Sequence, residues 1–351
     1  MTVPIEIGLV APLPPQVGGV ASFAQWLLDH EAILGCRYRT FDLRRPPDEE
    51  EGGRLRAAAA VRQGTQLARF LRWLRKAPRV VHYCVSLTAT GLPRDLLFVA
   101  LLRGTGRRTI AHVHGPAGIP RRRQPLLLRA VGGLSAARIA VLPVPGWTFL
   151  PNPLRLRPDG RGRQSQHESL RLLAVGLFGA RKGSEILVDA LAAARSEGIS
   201  ASVRFVGREL RRHEERALRE RVRALGLDGD VEFAGTLAPD RLPAEYREAD
   251  VFCLPSRREG LPMALVEAMA FELPVVTTPV GAIPALVEHD RTGLLVEPGN
   301  VAQLAEAIAR LAKEDDLRRR LGEAAGKRVR ELCSPDKIAG EWNRLYAELA
   351  R

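Results

Sequence analysis

Two glutamates, Glu259 and Glu267, stand eight positions apart in residues 255–279, PSRREGLPMALVEAMAFELPVVTTP. A turn-like opening carries Glu259 and Gly260. A run with Leu261, Leu265, Ala268 and Met269 at helical spacing follows, and Val275, Val276 and Thr277 read as a short buried strand. At about 1.5 Å per helical residue, a mostly helical interval separates the two carboxylates by about 12 Å along the axis. An acid and a nucleophile flanking one bond need about 5 to 9.5 Å. The pair therefore suits the two ends of one elongated, hydroxyl-rich ligand better than a glycosidase-type site. The backbone of Gly260, Leu261, Pro262 and Met263 opens the helix, where unpaired donors and the helix dipole stabilise a phosphate. By spacing alone, a solvated helix face is the better reading of two such glutamates.

A second place for phosphate lies near the start of the chain. Residues 3–9, VPIEIGL, alternate and then turn apolar as an opening strand does. A Pro-rich loop then ends at Gly18 and Gly19, and a helix starts near Val20. Strand, glycine loop and helix let backbone amides approach a diphosphate, although a glycine pair is also an ordinary turn. Further along, residues 109–113 read as a strand carrying His112 and His114 in alternation. His114 stands at the C-terminal end, where open α/β sheets place their ligands.

The text around the two glutamates, LPSRREGLPMALVEAMAFELPVV, resembles the E-x7-E signature of retaining GT-B glycosyltransferases, family 4 in particular. The resemblance implies that Glu259 sits by a donor sugar and that Glu267 binds the ribose hydroxyls of a nucleotide. It implies that Gly18 and Gly19 lie under the donor diphosphate, and that His114, rather than His112, contacts the donor sugar. In residues 176–183, GLFGARKG, Lys182 matches the lysine that binds the donor phosphates in that family. A lysine there neutralises charge developing on a leaving diphosphate. The family's usual arginine after the first glycine is Leu177 here, and Arg181 is the candidate to supply the missing charge. Without that charge, donor affinity or catalysis is weak. Gly207 and the stretch Gly235, Thr236, Leu237 end strands where the family seats the base through backbone contacts. Glu272 stands where the family usually has glycine, and Gly281 with Ala282 replaces a glycine pair. These two departures are expected to alter packing more than chemistry.

The elements that must position these residues alternate as strand, loop and helix through both halves. That pattern calls for an α/β protein with two doubly wound parallel sheets. The resemblance implies GT-B: two facing Rossmann-like domains with a C-terminal crossover helix. The expected division is 1–165 for acceptor binding and 166–334 for the nucleotide-sugar donor. Residues 335–351, amphipathic through Ile338, Trp342, Leu345, Tyr346 and Leu349, would form a last helix packing back on the first domain. Residues 155–169 read as the linker. Pro151-Asn152-Pro153 matches only part of the family's Pro-Asn-Gly turn, and the helix that usually precedes it is missing.

At 351 residues and 46% apolar content, the chain is long enough for two full cores. No apolar run approaches the roughly 20 residues that span a bilayer. The start, MTVPIEIGLVAPLP, lacks a signal-peptide pattern, so a cytoplasmic protein is expected. Cys36, Cys84, Cys253 and Cys333 show no metal-type spacing and read as buried free thiols. Charge is uneven: residues 1–165 hold 25 Lys or Arg against 10 Asp or Glu, and the remainder 28 against 30. A basic first half favours an anionic partner: a bilayer surface, a lipid-diphosphate acceptor or nucleic acid. The loop holding Arg121, Arg122 and Arg123 is a candidate for acceptor or membrane contact at the inner face of the membrane, and equally for a solvated loop.

The reading is a retaining, metal-independent glycosyltransferase without cofactor. It moves a hexose-type sugar from a UDP- or GDP-sugar to a glycan, lipid-linked or small-molecule acceptor, as in polysaccharide or glycolipid biosynthesis. No side chain is an evident nucleophile, and the resemblance implies that the leaving phosphate serves as base on the same face. Two alternatives stay open. One is a nucleotide-sugar epimerase on the same fold; a phosphorylase would need a longer chain with a cofactor lysine. The other is a non-catalytic binder of nucleotide sugar or nucleic acid. No aromatic-interleaved basic motif supports the nucleic-acid version, so no nucleic-acid partner is expected.

Overall fold

The computed structural model describes residues 4–14, 19–43, 56–86, 91–115, 124–156, 158, 169–209 and 211–351. Gly18 and the Arg121, Arg122 and Arg123 loop lie outside the described residues. The chain divides into two compact units, Met1–Asn152 with Asp336–Arg351, and Pro153–Pro335.

The first unit runs β1 (Ile5–Ala11), α1 (Gly19–Asp29), α2 (Glu31–Leu34), β2 (Cys36–Asp42), α3 (Arg56–Leu74), β3 (Val80–Val85), α4 (Gly91–Gly104), β4 (Arg108–Val113), α5 (Gln124–Leu134), β5 (Ala137–Ala140) and β6 (Thr148–Phe149). Its sheet has the order β2-β1-β3-β4-β5-β6, with every neighbouring pair parallel. Parallel strands covered on both faces read as continuous apolar runs. That is the case for Val80–Val85, where all six residues are buried. Alternate strand residues feed two cores: Ile7, Leu9 and Ile110 pack on one face, and Val10, Val81 and Tyr83 on the other.

The second unit runs β7 (Leu170–Val175), α6 (Ser184–Ser196), β8 (Ala201–Val206), α7 (Glu214–Ala224), β9 (Val231–Gly235), α8 (Leu242–Glu248), β10 (Val251–Leu254), α9 (Met263–Ala270), β11 (Val275–Thr277), α10 (Ile283–Leu286), β12 (Leu294–Leu295), α11 (Val301–Lys313) and α12 (Asp315–Cys333). The strand order is β12-β11-β10-β7-β8-β9, again parallel throughout. From β7 the chain winds outward through β8 and β9, then returns to β10 on the other side. The order therefore reverses between β7 and β10, and ligands of open α/β sheets bind at such a reversal. Leu172 and Cys253 enter one core while Leu173 and Phe252 enter the other, so helices cover both faces. Asn300 caps α11, its side chain accepting from the Gln303 N–H.

The last helix, α13 (Pro335–Ala350), is part of the first unit from Asp336 onward. Ile338, Trp342 and Tyr346 sit in the core that holds Ile7, Leu9 and Phe23. The units divide at Asn152, not at residue 165. Leu154 is buried in the second unit, and its N–H donates to the Cys333 carbonyl at 2.8 Å. Two further differences from the sequence reading concern the helix at Glu267. It begins at Met263, so Gly260, Leu261 and Pro262 form an extended lead-in. Leu261 packs against the core from that lead-in and not from a helical turn. Among the described residues, no helix is long and apolar enough to cross a membrane.

Candidate active site

The loops after β7 and β10 flank the strand-order reversal, and they carry Lys182 and Glu259. Lys182 lies in the turns between Val175 and Ser184, which begins α6. Its Nζ donates to Glu259 Oε1 at 2.6 Å, with side-chain exposures of 15% and 6%. The same carboxylate oxygen accepts from Ser256 Oγ at 2.7 Å. The two loops are also tied through backbone, the Arg257 N–H donating to the Arg181 carbonyl at 3.0 Å. The Arg181 guanidinium reaches the Arg258 carbonyl at 3.2 Å, next to Glu259. Arg181 and Lys182 are thus gathered on one turn. Leu177 is half-buried.

Glycines end the central strands. Gly176 after β7, Gly207 after β8 and Gly235 at the end of β9 are linked in a row: the Gly176 N–H donates to Val206 O and the Gly207 N–H to Gly235 O, both at 2.8 Å. A Cβ at Gly207 would lie 1.9 Å from the Gly176 carbonyl oxygen, and φ there is 139°. The strand ends therefore present bare backbone, a floor on which a flat or phosphorylated group can lie close. Thr236 follows as an exposed residue, and Leu237 packs partly into the core.

Glu267 sits on the second turn of α9. Its Oε2 accepts from the Tyr246 hydroxyl at 2.9 Å. Burial is the largest influence on its carboxyl and pushes it up to about 7, against smaller opposing pulls from the Tyr246 hydrogen bond and the Arg155 charge. A half-buried carboxylate held by one hydroxyl keeps lone pairs free for ligand hydroxyls. Met263 opens α9, and Pro262 before it has no N–H, so it offers a ligand shape and no donor. Gly260 is locked by Gly281. Gly281 has φ 61°, a Cβ there would meet the Glu259 carbonyl at 2.2 Å, and Ala282 N–H donates to Gly260 O at 2.9 Å. Gly281 is thus part of the turn that carries Glu259, not a packing detail beyond it.

In the first unit, Gly19 is the exposed first residue of α1. His114 follows β4 at the sheet's C-terminal edge, with both ring nitrogens buried and without a hydrogen-bond partner. Burial pushes it down to about 3, so it is neutral at physiological pH.

Sequence reasoning missed Ser256, Tyr246 and Gly281. Ser256 was visible as a hydroxyl three residues before Glu259. Gly281 was visible only as a glycine, and nothing local ties Tyr246, on α8, to Glu267 on α9.

Residues 161–328 match the model of the glycosyl transferases group 1. A GDP-mannose-dependent alpha-(1-6)-phosphatidylinositol monomannoside mannosyltransferase of Mycobacterium tuberculosis is 32% identical over 209 residues, 56% of this chain and 52% of that protein. Mannosylfructose-phosphate synthase of Agrobacterium fabrum is 32% identical over 48% of this chain and 38% of its own. The chain thus spans about half or less of these curated relatives. Among solved structures, sucrose-phosphate synthase of Thermosynechococcus elongatus superposes with a TM-score of 0.77 at 20% identity, covering 98% of this chain and 99% of its own. Anabaena HepE, solved with UDP and glucose, gives 0.70 at 17% identity and covers 98% of both chains. These likenesses give both units the GT-B fold. The match over residues 161–328 takes in the glycine loop, both glutamates and the glycine-ended strands, and over that stretch the chain is similar to the glycosyl transferases group 1.

Proposed function

We propose that this protein is a retaining glycosyltransferase moving a hexose from a nucleotide diphosphate sugar to an acceptor. The observation that carries the reading is the grouping of Lys182, Arg181, Glu259 and the row of glycines at the strand-order reversal of the second unit. The nucleoside lies over Gly207 and Gly235, and its ribose hydroxyls donate to Glu267. An ammonium has three donors. Lys182 spends one on Glu259 and keeps two for the phosphate oxygens that gain charge as the sugar leaves. Glu259, fixed by Lys182 and Ser256, takes the sugar end. The charge on the leaving diphosphate falls to Lys182 and Arg181, and a phosphate oxygen takes the acceptor's proton on the face the sugar left.

The relatives' printed names include GDP-mannose as a donor, and HepE was solved with UDP-glucose. These support a UDP- or GDP-sugar here. An anionic or lipid-linked acceptor is supported by the charge of residues 1–165. A groove of about 550 Å³ beside β2 and α3 adds to this, lined by Arg39, Arg69, Arg72 and Lys76. Peripheral contact with an anionic membrane follows from the same charge.

The test is a thermal-shift screen with UDP-, GDP- and TDP-sugars, followed by product analysis with the best donor. A ligand that binds the native state raises the melting temperature. One nucleotide class should do so, and Glu267→Ala should abolish the shift. No shift with any nucleotide sugar, or an unchanged shift in Glu267→Ala, would overturn the reading. Complete conversion of labelled donor to a new nucleotide sugar without acceptor would instead identify an epimerase.

A further inference from the structure

The first unit buries a histidine- and cysteine-rich patch. His82 and Cys84 lie two apart on β3, and His112 and His114 two apart along β4 and its end, so each pair shares a sheet face. The parallel register sets Cys84 opposite His112. His82, Cys84 and His112 are 0%, 2% and 1% exposed. One ligating atom from each lies within 4.8 Å of the others. His82 Nε2 is 3.0 Å from His112 Nδ1, and His82 Nδ1 is 2.7 Å from the Tyr346 hydroxyl. The His112 and His114 rings are 3.9 Å apart between centroids.

The hydrogen bonding of this patch does not close. His112 Nε2 and both nitrogens of His114 are buried with no partner. Neutral imidazoles and a cysteine sulfur are the donor set of a tetrahedral zinc site.

We propose that His82, Cys84 and His112 bind one Zn²⁺ ion inside the first unit. On binding, Cys84 releases its thiol proton to solvent and ligates as the thiolate. His82 carries its remaining proton on Nδ1, donates it to the Tyr346 oxygen and turns the Nε2 lone pair to the metal. Such an outer oxygen on the far nitrogen is the usual orienting partner of a metal-bound histidine. Zinc–nitrogen bonds of about 2.0–2.1 Å in a tetrahedron put the ligating nitrogens, here His82 Nε2 and His112 Nδ1, about 3.3 Å apart, with His112 Nε2 left outside the metal's shell. The present 3.0 Å needs only a small widening. The site is separate from the transfer chemistry, which routes no step through it. The ligands come from two strands, which is why no metal-type spacing shows in the sequence.

The test titrates untagged, metal-free full-length protein with Co²⁺ and then Zn²⁺. One equivalent of Co²⁺ should give visible tetrahedral bands and a near-ultraviolet thiolate charge-transfer band, and Zn²⁺ should displace it. Cys84→Ser should lose the charge-transfer band, and His112→Gln should lose stoichiometric uptake. Tyr346→Phe should keep the band and bind roughly 10- to 100-fold more weakly. Failure of the parent protein to take up either ion overturns the proposal whatever the variants do. So does a Cys84→Ser protein that keeps both the band and the stoichiometry.

Discussion

At the residue scale, Lys182 Nζ meets Glu259 Oε1 at 2.6 Å in the second unit. Both groups are largely out of water, so removing one leaves the other charge buried with little to offset it. Lys182→Ala is expected to lower stability by on the order of 3 kcal/mol and turnover by two to three decades. Urea unfolding with steady-state kinetics checks both. The double variant Lys182→Met/Glu259→Gln separates the effects: it should regain stability and not turnover. Glu267 makes a pH prediction. Its folded-state carboxyl titrates near 7, above the ordinary 4.5. The folded chain thus holds more protons than the unfolded chain between those values, and the stability contribution of Glu267 is lost as pH rises through that window. Donor affinity should change the opposite way, rising toward pH 8 because ribose hydroxyls need the carboxylate as acceptor. Tyr246→Phe removes the hydrogen bond that lowers this carboxyl, so the affinity midpoint should move above 7. A midpoint that stays in place would show that Tyr246 does not govern it.

At the scale of elements, the turn from Pro255 into α9 is held from behind. Ser256 is anchored by the Thr278 hydroxyl, which donates to its carbonyl at 2.5 Å, and Gly281 packs its bare Cα against the Glu259 peptide. The segment after β11 thus sets the carboxylate's height. The exit of α9 is less favourable. Glu272, where glycine is usual in the family, has φ 58°, a left-handed conformation that costs a residue with a Cβ about 1–2 kcal/mol. Its ion pair with Arg330 at 3.0 Å is half-exposed and offsets little of that. Glu272→Gly should therefore stabilise the protein by about 0.5–1 kcal/mol, measured by chemical denaturation. A loss of stability would mean that the Arg330 pair outweighs the backbone term.

For the whole molecule, the chain's last helix completes the first unit's core. Trp342 is fully buried, with its ring 4.4 Å from that of His82 and 5.8 Å from that of Phe23. Trp342→Ala should cost about 3–5 kcal/mol. The loss should fall on the first unit: hydrogen exchange of β1 and β3 amides should accelerate while β7 and β8 stay protected. Equal acceleration in both would show that the two units unfold as one.

Local pattern was enough for much of this protein. The buried runs at 80–83, 170–175 and 251–254, the glycine loop before α6 and the helix carrying Glu267 were legible because strand burial and helical spacing are written in adjacent residues. So was the likeness to the glycosyl transferases group 1, since the stretch that carries it is continuous. The edge strand at Cys36–Asp42, with its alternating exposed arginines, carried too weak a pattern. Partners that meet only through folding were not legible at all. Tyr246 reaches Glu267 across two helices, Gly281 reaches Glu259 from beyond the next strand, and Tyr346 reaches His82 from 264 positions away. Spacing along the chain determines periodicity and which backbone can turn. Which side chains share a buried volume, and so which charges and lone pairs are left for a ligand, is decided by strand register and helix seating.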